Sequence, residues 1–551
     1  MTQPGKTHGA SAFRGLCLVL CAALLVFIVE TGAQAQAMPT RHVRQEVVTG
    51  EARFLNLLPL TQFLNLSIAL PLRNEAELDV LLQQLNDPQS LVFHQFLSVQ
   101  EFTDRFGPTQ QDYDAVVTFA QRNGLTVTGT SPNRLVVNVA GSVANIERAF
   151  LVTLASYQHP TEQRTFYATD REPSANVGVA LWHISGLDDF SIPRPASLTK
   201  DSEVSHATGS GPSGYFLGSD MRTAYYGGTT LTGAGQSVGL LEFAGYNIAD
   251  VSTYFAEVGQ TLAVPVNGVS TDGSSLSCAR GCDDTEQVLD IEEAISMAPG
   301  MSQVRVYVSD TSDVSIFNKM ATDNISKSLS CSWGWNPADP TSDDPIFKEF
   351  AAQGQNLFVA SGDNGAYGRR SKYVYPADDA YVTSVGGTDL TTNGAGGSWK
   401  SETAWRYSGG GISPDNIAIP SYQKTAGVIT TANKGSKTLR NSPDVAAEAN
   451  TDNFICYDGT CAGGWGGTSF AAPRWAGYLA LVNQQSVANG KSTLGFLNPT
   501  LYTIALGTSY STNFHDITSG GNGTYTTQKG FDLVTGWGSP NGAGLINTLA
   551  P

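Results

Sequence analysis

The sequence predicts an α/β protein whose main domain is a parallel sheet with helices on both faces, preceded by a small α+β domain. Three observations support this prediction. The chain has 551 residues, which is more than one ordinary domain needs. From Gly218 onward, apolar runs of strand length alternate with helical stretches, as expected for strands covered on both faces. Residues 191–214 are rich in Ser, Pro, Thr and Gly and separate two folded parts.

The N-terminal residues 1–35 have the features of an export signal. Lys6 and Arg14 precede an apolar run at residues 16–29, and residues 33–35 (AQA) give a small-x-small cleavage pattern. A membrane anchor is the alternative, but the run is shorter than the roughly 20 residues that a spanning helix needs. Since no later segment is apolar enough to span, we expect a secreted, extracellular protein without membrane association after signal removal.

The formal net charge of -17 at pH 7 limits the partners of the protein. An acidic surface repels nucleic acid and anionic membranes, and it keeps the protein in solution near neutral pH. We therefore expect no nucleic-acid binding, and we expect a monomer.

Residues 44–190 mix strand-like and helical stretches, which predicts the small α+β domain. Strands are expected at residues 66–72 and 134–139, and helices at Glu75–Leu85 and Val143–Phe150. No cluster of residues in this region resembles an active site.

The segment 191–214 between the two parts is interpreted as an exposed linker. Proteolytic cutting concentrates in such segments, so we expect a processing site there. An inert spacer between permanently joined domains is the alternative that the composition leaves open. Residues 215–551 then form the second domain.

Strand-length runs in the second domain place polar residues at one edge of the sheet. The runs lie at residues 237–241, 303–308, 325–332 and 356–360. In a parallel sheet the functional site lies beyond the carboxyl ends of the strands. Glu242, Trp333 and Asp363 come just after such runs and are expected at that edge.

Ser469 is the candidate nucleophile. It lies in residues 466–473 (GGTSFAAP), between a glycine turn and a helical run, with Pro473 expected in the first turn of the helix. Free backbone N–H groups at a helix N-terminus stabilise negative charge that develops beside the hydroxyl. A glycine turn before a buried helix is the alternative explanation. The pattern G-T-S-x-x-x-P resembles the nucleophile motif of subtilisin-like peptidases, and this resemblance favours catalysis.

A serine nucleophile needs a base, which in the commonest triad is a histidine. From the linker onward only His206 and His515 are present, and neither has the H-G-T context of a subtilisin base. A carboxylate is therefore the better candidate.

The candidate carboxylates lie on one predicted helix. Residues 285–295 have helical apolar spacing, and residues 299–300 (PG) end the helix. Glu286 and Asp290 are four residues apart, so they lie one turn apart on one face, with Glu293 beside them. A solvated acidic face is the common alternative. Like charges at this spacing cost a few tenths of a kcal/mol, and function can exploit that strain by raising one pKa.

The cysteines predict two small disulfide loops and one free thiol. Export favours oxidation, and two pairs are close in sequence: Cys278 with Cys282 (CARGC), and Cys456 with Cys461 (CYDGTC). Cys331 lies in a strand-like run and is expected to be a buried free thiol. A zinc site at CARGC is the alternative, but no second Cys/His pair with ligand spacing follows.

Together these motifs resemble the sedolisins, the serine-carboxyl peptidase family that includes kumamolisin, as a precursor with its propeptide attached. The first part matches at residues 87–90 (DPQS), 94–98 (HQFLS), 101–102 (EF) and 181–187 (LWHISGL). The second part matches at residues 286–292 (EQVLDIE), 332–334 (SWG), 361–363 (SGD), 385–388 (VGGT), 443–447 (PDVAA) and 467–469 (GTS). Each motif is weak alone, but together they are specific. The resemblance implies a subtilisin-like sheet and an activation propeptide at residues 44–190.

The resemblance also implies roles for single residues. Ser469 corresponds to the nucleophile, Glu286 to the general base and acid, and Asp290 to the carboxylate that orients the base. Asp363 corresponds to a residue that lines the oxyanion hole.

Glu242 and Trp333 match positions that extend the proton network behind the base in some members. Acid chemistry agrees with this division of roles. Below pH ~5 a histidine with pKa near 6.5 is lost as a base, whereas a glutamate with pKa near 4.3 keeps an ionised fraction. Asp363 must instead be protonated to donate to an oxyanion, which needs low pH or a raised pKa. An acidic optimum is expected.

Near the C-terminus the chain resembles the calcium site of the same family. The resemblance implies one Ca²⁺ ion held by the carboxylates of Asp516 and Asp532 and by the backbone carbonyls of Ile517, Gln528 and Gly530, an all-oxygen set that suits Ca²⁺. The family usually has glycine where this chain has Gln528. That carbonyl ligand survives only if the backbone angle there does not require glycine. Two loop aspartates near a turn are the alternative.

We therefore expect a secreted, acid-active serine-carboxyl endopeptidase that cuts protein or peptide substrates through an acyl-enzyme on Ser469. It would be made as an autoprocessed precursor, with its own propeptide as intramolecular inhibitor and chaperone. A tripeptidyl-peptidase of the same family is one alternative. An inactive exported binding protein on the same fold is the other, and the intact set of candidate residues disfavours it.

Overall fold

The structure, a computed structural model, describes residue 1 and residues 36–196, 199–200, 208–278, 282–336, 340–368 and 374–551. Apart from residue 1, the expected export signal lies outside the described residues, as does His206. None of the helices in the described ranges combines the length and hydropathy needed to cross a membrane.

The N-terminal domain is an α+β unit with two antiparallel sheets. In chain order its elements are β1 (Gln36–Ala37), α1 (Gln45–Thr49), β2 (Arg53–Leu57), β3 (Phe63–Ala69), α2 (Glu75–Leu85), α3 (Val99–Arg105), α4 (Gln110–Arg122), β4 (Thr126–Thr130), β5 (Val136–Ser142), α5 (Val143–Phe150), β6 (Leu154–Gln158), β7 (Thr165–Thr169), β8 (Ser174–Ala175) and β9 (His183–Ser185). The strand orders are β4-β5-β3-β9 and β2-β6-β7, and β1 pairs with β8.

The predicted helices α2 and α5 have the predicted bounds, whereas the predicted strands are displaced by two or three residues. The strand expected at residues 66–72 ends at Ala69, because Pro71 cannot donate a ladder hydrogen bond. The strand expected at residues 134–139 begins at Val136, since Arg134 has a left-handed backbone with φ of +61°.

The second domain is built on one large sheet. In chain order the remaining elements are β10 (Arg194–Pro195), β11 (Thr199–Lys200), α6 (Gly218–Tyr225), β12 (Ser237–Glu242), α7 (Ile248–Glu257), β13 (Val266–Ser270), α8 (Thr285–Met297), β14 (Gln303–Val308), α9 (Asp313–Asp323), β15 (Ser328–Cys331), β16 (Trp333–Gly334), α10 (Asp344–Ala352), β17 (Asn356–Ala360), β18 (Thr383–Thr392), β19 (Trp399–Ala404), β20 (Gly411–Ile412), β21 (Asn441–Ser442), β22 (Val445–Glu448), β23 (Asn453–Tyr457), β24 (Thr460–Gly466), α11 (Thr468–Ala488), α12 (Asn498–Ala505), α13 (Tyr510–Asn513), β25 (Phe514–His515), β26 (Ser539–Pro540) and α14 (Gly542–Leu549). Short 3-10 helices lie at Pro212–Gly214, Pro340–Ser342 and Ser421–Lys424.

The large sheet confirms the predicted parallel α/β architecture. Its order is β13-β14-β12-β15-β17-β18-β19, with β22 also paired to β18. Neighbouring strands are parallel except for β18 and β19. Helices α8 and α11 pack against each other and against this sheet, while α9 and α10 pack together and contact the N-terminal domain. Carboxyl ends of parallel strands share one edge, which gathers the candidate site residues there.

The two domains share a buried interface. Phe102 within α3 and Phe106 at its C-terminal end belong to the same hydrophobic core as the large sheet. The Asn133 side chain is fully buried and donates through Nδ2 to Glu349 Oε2 at 2.7 Å and to Asn318 Oδ1 at 2.8 Å. The N-terminal domain is therefore packed against the second domain by apolar and polar contacts together.

The described parts of the segment after residue 190 make contacts with the second domain that its composition did not predict. Strand β10 pairs antiparallel with β16, and Ala196 is buried while its N–H donates to Ser332 O at 3.0 Å. Strand β11 pairs antiparallel with β24. Backbone hydrogen bonds to the second domain override the local Ser/Pro composition, which reports only the absence of a regular helix or strand pattern.

Candidate active site

Ser469 is the second residue of helix α11 and is fully buried. Its place at a helix N-terminus agrees with the sequence prediction. Pro473, however, lies in the second turn of α11 and not in the first. Because proline has no N–H, the Ser469 carbonyl lacks its usual helical donor, and it accepts a hydrogen bond from Ser332 Oγ at 3.3 Å instead. Ser332 thereby fixes the backbone of the candidate nucleophile.

Glu286 lies opposite the Ser469 hydroxyl on helix α8. Every residue of α8 is buried, so the alternative of a solvated acidic face is wrong. Burial, and then the negative charge of Asp290, raise the pKa of Glu286 well above its usual value, while the Ser469 hydroxyl opposes this rise. Neither Ser469 Oγ nor the Glu286 carboxylate has a hydrogen bond of ordinary geometry to another described residue. The pair is adjacent, with both reacting groups available.

Behind Glu286, further carboxylates continue the network into the protein. Asp290 Oδ1 accepts from Ser332 Oγ at 2.7 Å, and burial raises the Asp290 pKa well above its usual value. Glu242 Oε2 accepts from Trp333 Nε1 at 2.8 Å, and burial followed by the Asp290 charge raises the Glu242 pKa. Because these like charges repel one another, Glu286, Asp290 and Glu242 titrate as a set.

Asp363 lies beside the N-terminus of α11. Gly362, with a φ of +96° that favours glycine, turns the chain after β17. Asp363 Oδ1 accepts from Thr468 N at 2.8 Å and from Thr468 Oγ1 at 2.7 Å, and Oδ2 has no partner among the described residues. Burial raises the pKa of Asp363 to about 8. The carboxyl is therefore protonated below that pH, with Oδ2 free to donate.

A cleft of about 470 Å³ opens onto Glu286. It is lined by Arg194, Pro195, Asp283, Thr285, Glu286, Gln287, Trp333 and Trp465. Strand β10 pairs with β16 and strand β11 pairs with β24, so residues 194–195 and 199–200 lie against strands whose Trp333 and Trp465 line the cleft.

Three contributors were not singled out from the sequence: Ser332, Thr468 and Arg474. Arg474 is buried and donates to Glu293 Oε2 at 2.6 Å, to the Glu448 carbonyl at 2.7 Å and to Asn453 Oδ1 at 2.7 Å. It thus joins the candidate nucleophile's helix to the carboxylate helix. An arginine within an apolar helical run was the available signal, because a buried charge requires a partner.

The histidine alternative finds no support in the described geometry. The His515 ring stacks on Trp399 with centroids 3.8 Å apart, and burial lowers the pKa of His515 to about 4. His515 is therefore neutral over most of the pH range. Its ring nevertheless stacks on Trp399 and makes no hydrogen bond to Ser469 Oγ, so it is not placed to act as the base.

The cysteines are placed as expected. The Cα atoms lie 5.7 Å apart in the Cys278–Cys282 disulfide and 4.0 Å apart in the Cys456–Cys461 disulfide. Cys331 is free and buried. Across the described ranges, no group of three or more His, Cys, Asp or Glu side chains is arranged to hold a metal, so the zinc alternative gains no support.

In the C-terminal loop, Asp516 and Asp532 lie against the backbone of Gly530 and Gln528. The Gly530 N–H donates to Asp516 Oδ1 at 3.1 Å, and the Gln528 N–H donates to Asp532 Oδ2 at 3.1 Å. No described residue donates to the carbonyl oxygens of Ile517, Gln528 or Gly530. The backbone angle φ of Gln528 is not positive, so this position does not require glycine. Two carboxylates and three free carbonyls fit a hard cation.

The fold and the site together define a serine-type peptidase in precursor form. The family description "Pro-kumamolisin, activation domain" matches residues 51–190, and "Subtilase family" matches residues 297–538. Kumamolisin from Bacillus sp. (strain MN-32) is 30% identical over 92% of this chain and 97% of that protein. The chain belongs to the sedolisin family of peptidases.

Two further relatives bear on the activity. The structure of Pseudomonas sedolisin, a serine-carboxyl proteinase complexed with two molecules of pseudo-iodotyrostatin, matches with a TM-score of 0.53 and 26% identity, over 62% of this chain and 98% of that chain. Tripeptidyl-peptidase 1 from Rattus norvegicus is 35% identical over 37% of this chain and 38% of that protein. Together with the match to the activation domain, these relatives identify the chain as a zymogen whose propeptide inhibits a peptide-cutting domain.

Proposed function

We propose that this protein is a secreted, acid-active serine-carboxyl endopeptidase. The observation that carries the proposal is the pairing of buried Ser469 with buried Glu286, with no histidine of the described residues bonded to the serine. A carboxylate base keeps an ionised fraction in acid, where a histidine base does not.

In the proposed mechanism, Ser469 Oγ attacks the carbonyl carbon of the scissile peptide bond. Glu286 accepts the hydroxyl proton and then delivers it to the departing amine, which leaves an acyl-enzyme for water to hydrolyse. Asp290, held by Ser332, orients Glu286. Protonated Asp363 donates from its free Oδ2 to the oxyanion.

Buried carboxylates support activity in acid. Repulsion makes the set of Glu286, Asp290 and Glu242 lose its first proton at lower pH than the next, so the set holds a single negative charge over a range of pH. Burial also raises the pKa of Glu349 and of Asp415 to about 8. Such groups favour the folded state at low pH, since the folded protein holds protons that the unfolded chain releases.

Processing is proposed to occur between Ala196 and Thr199. Ala196 is held on one side of the cleft by Ser332 O, and Thr199 pairs with Gly466 on the other. We expect Ser469 to attack one of the bonds between these two residues. Cutting there would separate residues 44–190 from the enzyme, and acid would assist release by protonating carboxylates that hold the two domains together.

Endopeptidase action is favoured over tripeptidyl removal by the path of the chain in the cleft. The propeptide continues N-terminal to Arg194, which is the third residue back when Ala196 is counted as the first. A cleft that holds this continuing chain has room for more than three residues before the cut. Tripeptidyl-peptidase activity remains the second candidate, because of the relatives with that name.

One Ca²⁺ ion is proposed at the loop of Asp516, Ile517, Gln528, Gly530 and Asp532. A cation would offset the burial that raises the pKa of Asp532 to about 7. When bound, the ion supplies loop rigidity and stability, and it takes no part in the peptide-cutting step.

The test is incubation of the purified precursor at pH ~4 with a denatured protein, followed by sequencing of all products. We expect internal cleavage of the substrate and a new enzyme N-terminus between residues 197 and 199. Ser469→Ala should leave a folded precursor that does neither. Turnover by that variant would remove the assignment of the nucleophile, and release of tripeptides alone would select the second candidate.

A further inference from the structure

The hairpin of β23 and β24 presents two aromatic rings beside the cleft. Its two-residue turn, Asp458 and Gly459, has positive φ at both positions, +44° and +71°, which is the geometry that matches strand twist in a tight hairpin. The Cys456–Cys461 disulfide lies across the same turn. Tyr457 and Trp465 stand on this hairpin edge to face, with ring centroids 5.1 Å apart at 86°.

The two rings are supported from behind. Leu289 of α8, Ile455 of β23 and Phe470 of α11 form a small buried cluster that contacts both Tyr457 and Trp465. The cluster connects the hairpin to the helices that carry Glu286 and Ser469. The rings therefore keep a fixed position relative to the reacting groups, as a recognition element must.

The ammonium group of Lys200 lies against both rings. Its Nζ lies 4.8 Å from the centroid of Trp465 and 5.5 Å from that of Tyr457, and it donates to the Tyr457 hydroxyl at 3.0 Å. Both distances are within the roughly 6 Å range of a cation–π contact. In the part of the chain that the structure describes, Lys200 makes no ion pair with a carboxylate. Ring faces and one hydroxyl bind the ammonium group.

The position of Lys200 relative to the cut is fixed by strand pairing. Lys200 pairs with Trp465 and Thr199 pairs with Gly466, so both lie on the side of the cleft that holds the departing amine. Whichever bond between Ala196 and Thr199 is cut, Lys200 is the second to fourth residue after it. In a substrate bound along the same path, a residue at that place faces the same rings.

We propose that Tyr457 and Trp465 form a substrate subsite on the leaving-amine side of the cleft, which selects a basic side chain two to four residues after the scissile bond. The inference rests on the proposed peptidase function and names the preferred substrate class: peptides with Lys or Arg at this position. The propeptide segment with Lys200 is its first occupant.

The test uses the processed enzyme and synthetic peptides that copy residues 192–204 (IPRPASLTKDSEV). One peptide keeps Lys200, and a second has norleucine there, which retains the carbon chain without the charge. A third has norleucine at 200 and lysine in place of Ser202, so its net charge equals that of the first. We expect kcat/KM for the first peptide to exceed that of the other two by about three- to tenfold.

The third peptide separates a local subsite from general attraction between a basic peptide and an acidic protein. Equal kcat/KM for the first and second peptides would overturn the subsite, as would full recovery with the third. Failure to cut any of the peptides, together with failure to cut a denatured protein, would overturn the proposed function itself.

Variants assign the effect to the two rings. Tyr457→Phe keeps the ring and removes the hydroxyl, so it should narrow the ratio between the first and second peptides. Trp465→Leu should bring the ratio close to one. The ratio compares two substrates of one enzyme, so it is insensitive to a change in the amount of active protein. An unchanged ratio in a folded Trp465→Leu enzyme would contradict the assignment.

Discussion

Asp363→Asn tests whether this carboxyl donates a proton to the oxyanion. Burial raises the pKa of Asp363 to about 8, so the donor is present below that pH and is lost above it. In the variant, the amide oxygen can keep both Thr468 hydrogen bonds at Oδ1, while the amide N–H₂ replaces the protonated Oδ2. The amide remains a donor at every pH, so the variant lacks the ionisation.

The magnitude follows from the pKa of about 8. Each pH unit above 8 lowers the protonated fraction of Asp363 about tenfold. Loss of one oxyanion donor costs about 10²–10³ in rate, so the rate of the unaltered enzyme stops falling once it has dropped by that factor. The ratio of kcat/KM for Asp363→Asn to that for the unaltered enzyme should therefore be constant below pH 7 and rise about tenfold per unit above pH 8. At pH 5 we expect the variant to retain activity within about tenfold.

The assay is initial-rate cleavage of a quenched peptide from pH 3 to 10, with each enzyme returned to pH 5 and reassayed to exclude unfolding. Asp415→Asn is the matched control, because burial also raises the pKa of Asp415 to about 8 while its interacting neighbour is Asp378 and not Ser469. Its ratio to the unaltered enzyme should be flat. A flat ratio for Asp363→Asn across the whole range would refute the assignment of the donor.

Three further predictions concern the base, the pH dependence of folding and the calcium loop. Glu286→Gln keeps the size and hydrogen bonding of the side chain without its basicity, so a folded variant should lose most of its kcat. The loss should exceed that of Asp363→Asn at pH 5. A normal rate would contradict Glu286 as the base and would favour His515. For folding, Glu349 and Asp415 have pKa values of about 8 in the folded protein, above their unfolded values, so their stabilisation is complete below pH ~4 and lost as pH rises through 8. The Tm of the Ser469→Ala precursor should fall by several degrees between pH 4.5 and pH 8, and a higher Tm at pH 8 would contradict this reasoning. A chelator should lower Tm at pH 7.5 and have less effect at pH 5, where Asp532, with a pKa of about 7, is protonated and a poor ligand; equal curves with and without chelator at pH 7.5 would remove the calcium site.

Local pattern was sufficient for much of the fold. Helices α2 and α5 have the bounds that apolar spacing predicted, and four strands of the large sheet, β12, β14, β15 and β17, lie in the predicted apolar runs. The same spacing placed Glu286 and Asp290 on one helix and Ser469 at the start of another. These features depend on backbone preferences and on side chains within one or two turns, which the sequence contains directly.

The chemistry of the site depended on contacts between distant segments. Spacing along α8 could not show whether its acidic face meets water or protein, yet that difference decides the pKa direction of Glu286 and Asp290. The composition of residues 191–214 suggested exposure, whereas residues 194–195 pair with β16 and residues 199–200 pair with β24.

The sequence by itself thus determined which elements form and which residue types the site contains. The tertiary structure alone decided which carboxylates are buried, that Ser332 holds both Asp290 and the Ser469 carbonyl, and that Lys200 meets the rings of Tyr457 and Trp465. The physical reason is the separation along the chain between the residues that interact. Helix and strand patterns report interactions between near neighbours, while desolvation, hydrogen-bond partners and ring contacts depend on segments that only the folded chain brings together.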